Sequence, residues 1–204
     1  MIDDNLAEIL SIWLEHLGEQ KNFSENTIVS YQNDLNNFMK FCGEYVAKTI
    51  TLSDIAKTDI RLIRSWLSWR KQQNYNPTST ARALSALKSF FKHLEKTKSI
   101  SIHAIYTIRS PRKPKSLPKA LSQDEVNISL DKIDVFGDIS WIAFRDKSLL
   151  TLIYATGLRI SEALSITKNH VKNSEYIKIK GKGGKERVIP WIEDARKLVL
   201  KYIA

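Results

Sequence analysis

Cysteine is almost missing from this 204-residue chain: Cys42 stands alone, so no internal disulfide can form. With only four histidines beside it, no Cys/His cluster of structural-zinc spacing can be drawn, and no metal and no cofactor are expected. A reducing, cytoplasmic setting fits this composition. No apolar run is long enough to span a bilayer, which speaks against a membrane partner. The acidic opening Met1-Ile2-Asp3-Asp4-Asn5 has neither a basic n-region nor an apolar h-region, so no export signal is expected and the working protein should begin near Met1. Proline is scarce too, and three of the five, Pro111, Pro114 and Pro118, fall in one short stretch.

What the chain does have is positive charge. Lysine and arginine number 32 against 22 acids, a formal charge of +10, and 43% of the residues are hydrophobic. That is enough apolar material for one large or two modest globular domains. The positive field attracts polyanions, with nucleic acid the leading partner; lysines that serve solubility alone are the alternative that charge leaves open.

The first block reads as four helices. Leu6, Ile9, Leu10, Trp13, Leu14 and Leu17 recur at helical spacing. Ser24 is a candidate N-cap for a second helix whose stripe is Ile28, Tyr31, Leu35, Phe38 and Phe41. Asp59 is placed to cap a third, with Ile60, Ile63, Trp66, Leu67 and Arg70 on one face, and Asn74-Tyr75-Asn76-Pro77 reads as the turn ending it. The fourth should start at Thr78 or Ser79 and bury Leu84, Leu87, Phe90, Phe91 and Leu94, leaving Arg82, Lys88 and Lys92 outside the stripe. The aromatics lie on the apolar stripes and are expected in the core, not as stacking platforms for bases.

The chain then divides into 1–108, a basic proline-rich linker over 109–120, and 121–204. The linker carries Arg109, Arg112, Lys113 and Lys115 without an acid, and its prolines resist both helix and central strand. It can run along a phosphate backbone or be a solvated spacer. Ser122 and Glu125 have capping-box spacing ahead of a new helix. Leu149, Leu150, Leu152, Ile153 and Tyr154 make a helix apolar nearly all round, which is expected to be buried, until Gly157 interrupts it ahead of Ile160, Ala163, Leu164 and Ile166. Strand character over 176–179 and 187–189 flanks Gly183-Gly184, which suits a tight hairpin, and 193–202 reads as helix.

Two cations stand out. Arg159, between Leu158 and Ile160, should be at least partly buried, and a buried guanidinium needs an anion. An internal ion pair with Glu162 or Asp146 would satisfy it, and so would a phosphate gripped by the planar fork. Lys182 and Lys185 flank the two glycines, where little bulk obstructs close approach; a phosphate-seeking finger and a turn with solvated lysines are both open readings. Glu186 stands where a Walker motif needs Ser or Thr, so nucleotide hydrolysis is set aside.

Together these segments resemble the tyrosine recombinase/integrase family, its Xer-type members most closely. Ser24-Glu25-Asn26-Thr27 with Tyr31, Asp34-Leu35 and Phe38, and Arg82 through Phe91, are similar to helices of that family's core-binding domain; Leu117 through Ser122 is similar to its linker end. Tyr154 to Glu162 resembles its first catalytic-arginine motif, with Gly181 to Pro190 in register as the lysine-bearing hairpin. The resemblance implies a mainly α protein: a four-helix, SAM-like core-binding domain followed by an incomplete α+β catalytic domain with a small hairpin sheet. It also implies site-specific recombination through a 3′-phosphotyrosyl intermediate without a metal. Arg159 would clamp the phosphate and Lys182 would protonate the departing 5′-oxygen. Double-stranded DNA would be the partner, contacted by Arg82, Lys88, Lys92, Arg112, Lys113, Lys115, Lys185 and Arg187.

One departure follows. Three residues beyond His16, His93, His103 and His170 stand Glu19, Lys96, Tyr106 and Asn173, so the family's His-x-x-Arg is not among these 204 residues. Tyr202, the one tyrosine after the hairpin, follows it too closely to serve as the nucleophile. The expectation is a C-terminally truncated recombinase that cannot cleave DNA alone, with a sister recombinase or a separately encoded C-terminal half as a further partner. The alternative is a non-catalytic DNA-binding helical module or a split-enzyme remnant.

Overall fold

The structure is a computed structural model that describes residues 2–112, 120–136, 140–172, 175–181 and 184–203, of which 134–136, 140 and 172 are described by backbone alone. The chain forms two compact units, Met1–Ser116 and Leu117–Ala204.

In the first unit, α1 (Asp4–Glu19) begins where the Asp3 carboxylate accepts the Leu6 amide at 2.8 Å, satisfying one of the free N–H groups of the first turn. α2 (Glu25–Val46) and α5 (Pro77–Lys98) are the long helices, with α4 (Ile60–Gln72) between them in sequence. Asp59 caps α4 as expected, accepting the Leu62 amide at 2.8 Å. The start of α5 differs from expectation. Asn76, read as part of a turn, is the N-cap, its side chain accepting the Thr78 amide at 2.8 Å, and Pro77 is the first helical residue, where a missing N–H costs nothing. Two short helices, α3 (Leu52–Ala56) and α6 (Ala104–Thr107), were not foreseen; neither is long enough to show a period.

The apolar stripes meet in one core. Leu6, Trp13, Leu35, Phe38, Ile63, Trp66, Leu84, Leu87, Phe90 and Phe91 are all buried. At about 1.5–3 kcal/mol for each large side chain removed from water, this core is the main stabilising term of the unit. Its aromatics pack edge to face, Trp13 on Phe90 at 5.4 Å between ring centroids and Phe38 on Trp66 at 5.1 Å, so they are unavailable to stack on bases.

The second unit contains α7 (Gln123–Phe136), α8 (Ser140–Thr156), α9 (Ile160–Leu164), α10 (Lys168–Lys172), an antiparallel hairpin of β1 (Tyr176–Lys180) and β2 (Glu186–Pro190), and α11 (Glu193–Ile203). The capping box before α7 forms, with Glu125 Oε2 accepting the Ser122 amide at 2.8 Å. Its core joins Leu152, Leu158, Ala163, Val171, Ile177, Ile179, Ala195 and Val199. The expectation that α8 is buried all round is not met: Leu152 is buried, but Leu150 and Tyr154 are 45% and 54% exposed. α8 packs against α7, α11 and the short α9, and these leave the side that carries Leu150 and Tyr154 uncovered.

Candidate functional site

The distinctive geometry of the second unit starts at the end of α8. The Gly157 amide donates to the Ile153 carbonyl at 2.9 Å and the residue turns to φ +64°, a left-handed conformation that breaks the helix and that glycine adopts at least cost. Nothing lies within 4 Å of where a side chain would begin there, so the demand for glycine is conformational and not steric. Leu158 then drops into the core, and Arg159, extended at φ −69° and ψ 151°, is the N-cap of α9.

An arginine side chain has no acceptor with which to cap a helix. Glu162, one turn on, supplies the bond instead: its Oε2 accepts the Arg159 amide at 2.8 Å and its Oε1 accepts Arg159 Nη1 at 2.9 Å. The same carboxylate takes a two-pronged contact from β2, Arg187 Nη1 to Oε1 at 2.9 Å and Nη2 to Oε2 at 2.7 Å. Bonds from Arg187 first, and then from the Arg159 amide, hold the Glu162 carboxyl down at about 2. Arg187 is correspondingly raised by its bond to Glu162.

Exposure separates the three. Glu162 is buried at 6%, while the Arg159 side chain is 68% exposed and that of Arg187 40%. The expected burial of Arg159 is therefore corrected. Its neighbours Leu158 and Ile160 point opposite ways, one into the core and the other 63% exposed, and the guanidinium lies out in solvent. Of the two internal acids considered, Glu162 is the partner, while Asp146 pairs with Arg145 at 2.8 Å. Two guanidiniums share one carboxylate, so the group keeps one positive charge, and Arg159 presents most of its fork outward.

Glu162 also brings the hairpin to this point. Gly181 closes β1 by donating its amide to the Lys185 carbonyl at 2.7 Å, and a methyl added to it would lie 3.5 Å from Arg187 Nη1 and 3.9 Å from Glu162 Oε1. The turn beyond contains Gly184 at φ +78°, matching the conformation expected of that glycine pair. Lys182 and Gly183 lie outside the described residues, as do Lys113 and Lys115. Lys185 is exposed at the hairpin end.

The other cations expected to meet DNA fall in the first unit and differ in setting. Lys92 and Arg112 are exposed, and Lys88 donates to the Ile108 carbonyl at 3.3 Å, tying α5 to the stretch after α6. Arg82 is anchored on α2: its Nε and Nη2 donate to the two oxygens of buried Asp34 at 2.8 and 3.2 Å. Neither this pair nor that of Glu162 with Arg187 was read from sequence. Only the i,i+3 spacing of Arg159 and Glu162 carries a local signal; the other partners are 25 and 48 positions apart. Among the described residues no group of three or more His, Cys, Asp or Glu could hold a metal ion, and no helix is long and apolar enough to cross a membrane.

Residues 10–98 match the profile described as phage integrase, N-terminal SAM-like domain, and residues 119–204 that of the phage integrase family. Tyrosine recombinase XerC of Rickettsia bellii (strain OSU 85-389) is 53% identical over 203 residues, covering 100% of this chain and 67% of its own length. The protein of the same name from Rickettsia typhi is 51% identical with the same coverage. Among solved structures, the XerH site-specific recombinase bound to palindromic difH substrate in a post-cleavage complex is similar at a TM-score of 0.65 and 20% identity, over 95% of this chain and 57% of that one. A lambda integrase tetramer bound to a Holliday junction gives 0.70 and 14%, over 96% and 55%. At those identities the structural likeness is one of fold, and the chain spans just over half the length of these solved recombinases.

Proposed function

The chain belongs to the phage integrase family of tyrosine recombinases, and from that membership we propose that it is a Xer-type site-specific recombinase polypeptide. Its first unit binds double-stranded DNA and its second grips a scissile phosphate. The observation that carries this reading is the outward fork of Arg159, held at its base by a buried carboxylate that also fastens the lysine hairpin. Such a group is positioned before the ligand arrives, so little reorganisation is needed as negative charge builds on a phosphorane.

In the reaction this implies, a tyrosine oxygen attacks phosphorus, a 3′-phosphotyrosyl bond forms and the 5′-oxygen departs with a proton. Arg159 stabilises the non-bridging oxygens, and Lys182 is the proton donor to the leaving oxygen. The second arginine and the tyrosine are not among these 204 residues, so they would be supplied by a sister recombinase or another polypeptide segment. Groups that act as a unit lose nearly all rate when members are removed. The 204-residue polypeptide alone is therefore expected to bind DNA without forming a covalent adduct.

Two measurements test this. Duplex DNA affinity should fall with salt by about 0.9 log unit per phosphate contact per log unit of salt. Trapping on nicked duplex should yield no protein–DNA adduct; an adduct formed by this polypeptide would refute the assignment of the nucleophile to another segment.

A further inference from the structure

The first unit also contains a guanidinium held by a buried carboxylate, with a second, buried guanidinium bracing the same two helices. Asp34 on α2 is 5% exposed and accepts Arg82 from α5 through both oxygens. Arg70 on α4, 1% exposed, reaches the same two helices, at Asn37 one turn beyond Asp34 on α2 and at Thr80 two residues before Arg82 on α5. The hydrogen bonds of Arg70 go to neutral acceptors, Nη1 to Asn37 Oδ1 at 2.9 Å and Nε to Thr80 Oγ1 at 3.3 Å. Its guanidinium lies against the rings of Tyr75 and Trp66, at 4.1 and 5.3 Å from their centroids. Tyr75 is fixed in turn, its hydroxyl accepting Asn37 Nδ2 at 3.1 Å.

A buried guanidinium is costly unless its donors and charge are answered nearby, and Arg70 is answered by Asn37, Thr80 and two ring faces, which fixes α4 against α2 and α5. The exposed group on this braced frame is Arg82, 46% exposed, whose Nε and Nη2 are taken by Asp34 while Nη1 lies outside that pair. A guanidinium pinned along one edge has lost its rotamer freedom before it meets a ligand, and what it still offers is a donor edge suited to a phosphate oxygen.

We propose that Asp34 and Arg82 form a preorganised phosphate clamp in the N-terminal unit, with Arg82 touching a DNA backbone phosphate, Asp34 acting as its positioning residue and Arg70 bracing the helices behind them. This deepens the DNA-binding reading above and rests on it. A plain strut between α2 and α5 is the competing role for the ion pair, and the two roles differ in sign. Removing the negative charge of Asp34 from a DNA-facing surface should tighten binding if only the overall field matters. It should weaken binding if Asp34 aims Arg82.

The test is salt-titrated affinity of the 204-residue chain for a short duplex DNA, with thermal melting recorded for each variant. Asp34→Asn is expected to weaken binding on the order of fivefold despite the added positive charge, and Arg82→Gln to lower the slope of log affinity on log salt by about 0.9. In the Arg82→Gln background, the further change Asp34→Asn should alter affinity little. That double variant leaves no unpaired carboxylate in the core, so its slope can be read even where a single variant melts early. Equal or tighter binding by Asp34→Asn, or an unaltered slope in both Arg82 variants, would overturn the clamp while leaving DNA binding intact. Absent or salt-independent binding by the unchanged chain would sink the DNA-binding reading itself, and the clamp with it.

Discussion

Arg187 and Glu162 are 25 residues apart in the chain, yet they meet through two hydrogen bonds of 2.9 and 2.7 Å. That contact links β2 to the helix that follows the glycine break, and Glu162 passes it on to Arg159 through two further bonds of 2.8 and 2.9 Å. Removal of the one carboxylate should therefore free both cations and the hairpin together.

The pH dependence of this link has a definite sign. The Glu162 carboxyl has an ordinary value of 4.5 and is held at about 2 in the fold. A depressed carboxyl contributes stability that is present above its unfolded value and is lost as pH falls toward the folded one. The melting temperature of the chain should exceed that of Glu162→Gln at neutral pH, and the gap should close between about pH 4.5 and 2. Asp54, also held at about 2 by Lys48 and Thr51, weakens the N-terminal unit over the same range, but equally in both proteins. A gap independent of pH would show that the Glu162 charge is not what the fold uses.

Gly157 gives a sharper conformational test. Its φ of +64° penalises any side chain by about 1–2 kcal/mol, and open space around it removes any steric addition. Gly157→Ala should cost about that much in urea unfolding of the C-terminal unit, and Gly157→Asn less, since asparagine tolerates the left-handed region better. Equal costs for the two would argue against a purely backbone origin.

In the first unit, Leu84 has no exposed surface and lies among the aromatics of the core. Leu84→Ala removes buried methyl groups and leaves a void, so denaturant unfolding should show a loss of about 2–5 kcal/mol. Asn76→Ala should cost about 0.5–2 kcal/mol by removing the cap of α5. If the cap variant were as damaging as the core variant, the helix start would matter more than the packing assigned to it.

The second unit exposes large apolar side chains: Ile160 at 63%, Leu164 at 66%, Tyr154 at 54% and Leu150 at 45%. A groove of about 470 Å³, lined by Leu149, Leu152, Leu164, Ile166 and Tyr202 among others, adds to this surface. Such patches bind hydrophobic dyes and promote association. The chain should therefore bind an anilinonaphthalene dye in its native state, and Leu164→Lys should lower that signal without lowering the melting temperature.

The sequence by itself determined the helices with strong stripes, because a 3.6-residue period places Leu6 to Leu17, or Leu84 to Leu94, on one face whatever they later meet. It also determined local devices, namely the Asp59 cap, the Ser122–Glu125 box and the glycine break ahead of Arg159, since each acts within a turn of chain. The +10 charge and the spacing of the arginine motif and hairpin likewise needed no coordinates. Tertiary structure alone decided which cation is answered by which acid. Arg159 reaches solvent because Glu162 turns inward to Arg187, Arg82 is fixed because α5 docks its face on Asp34 of α2, and α8 keeps an open side because α7, α9 and α11 leave Leu150 and Tyr154 uncovered. Burial and charge pairing depend on surfaces that meet across long stretches of chain, and no local pattern encodes where those surfaces will come together.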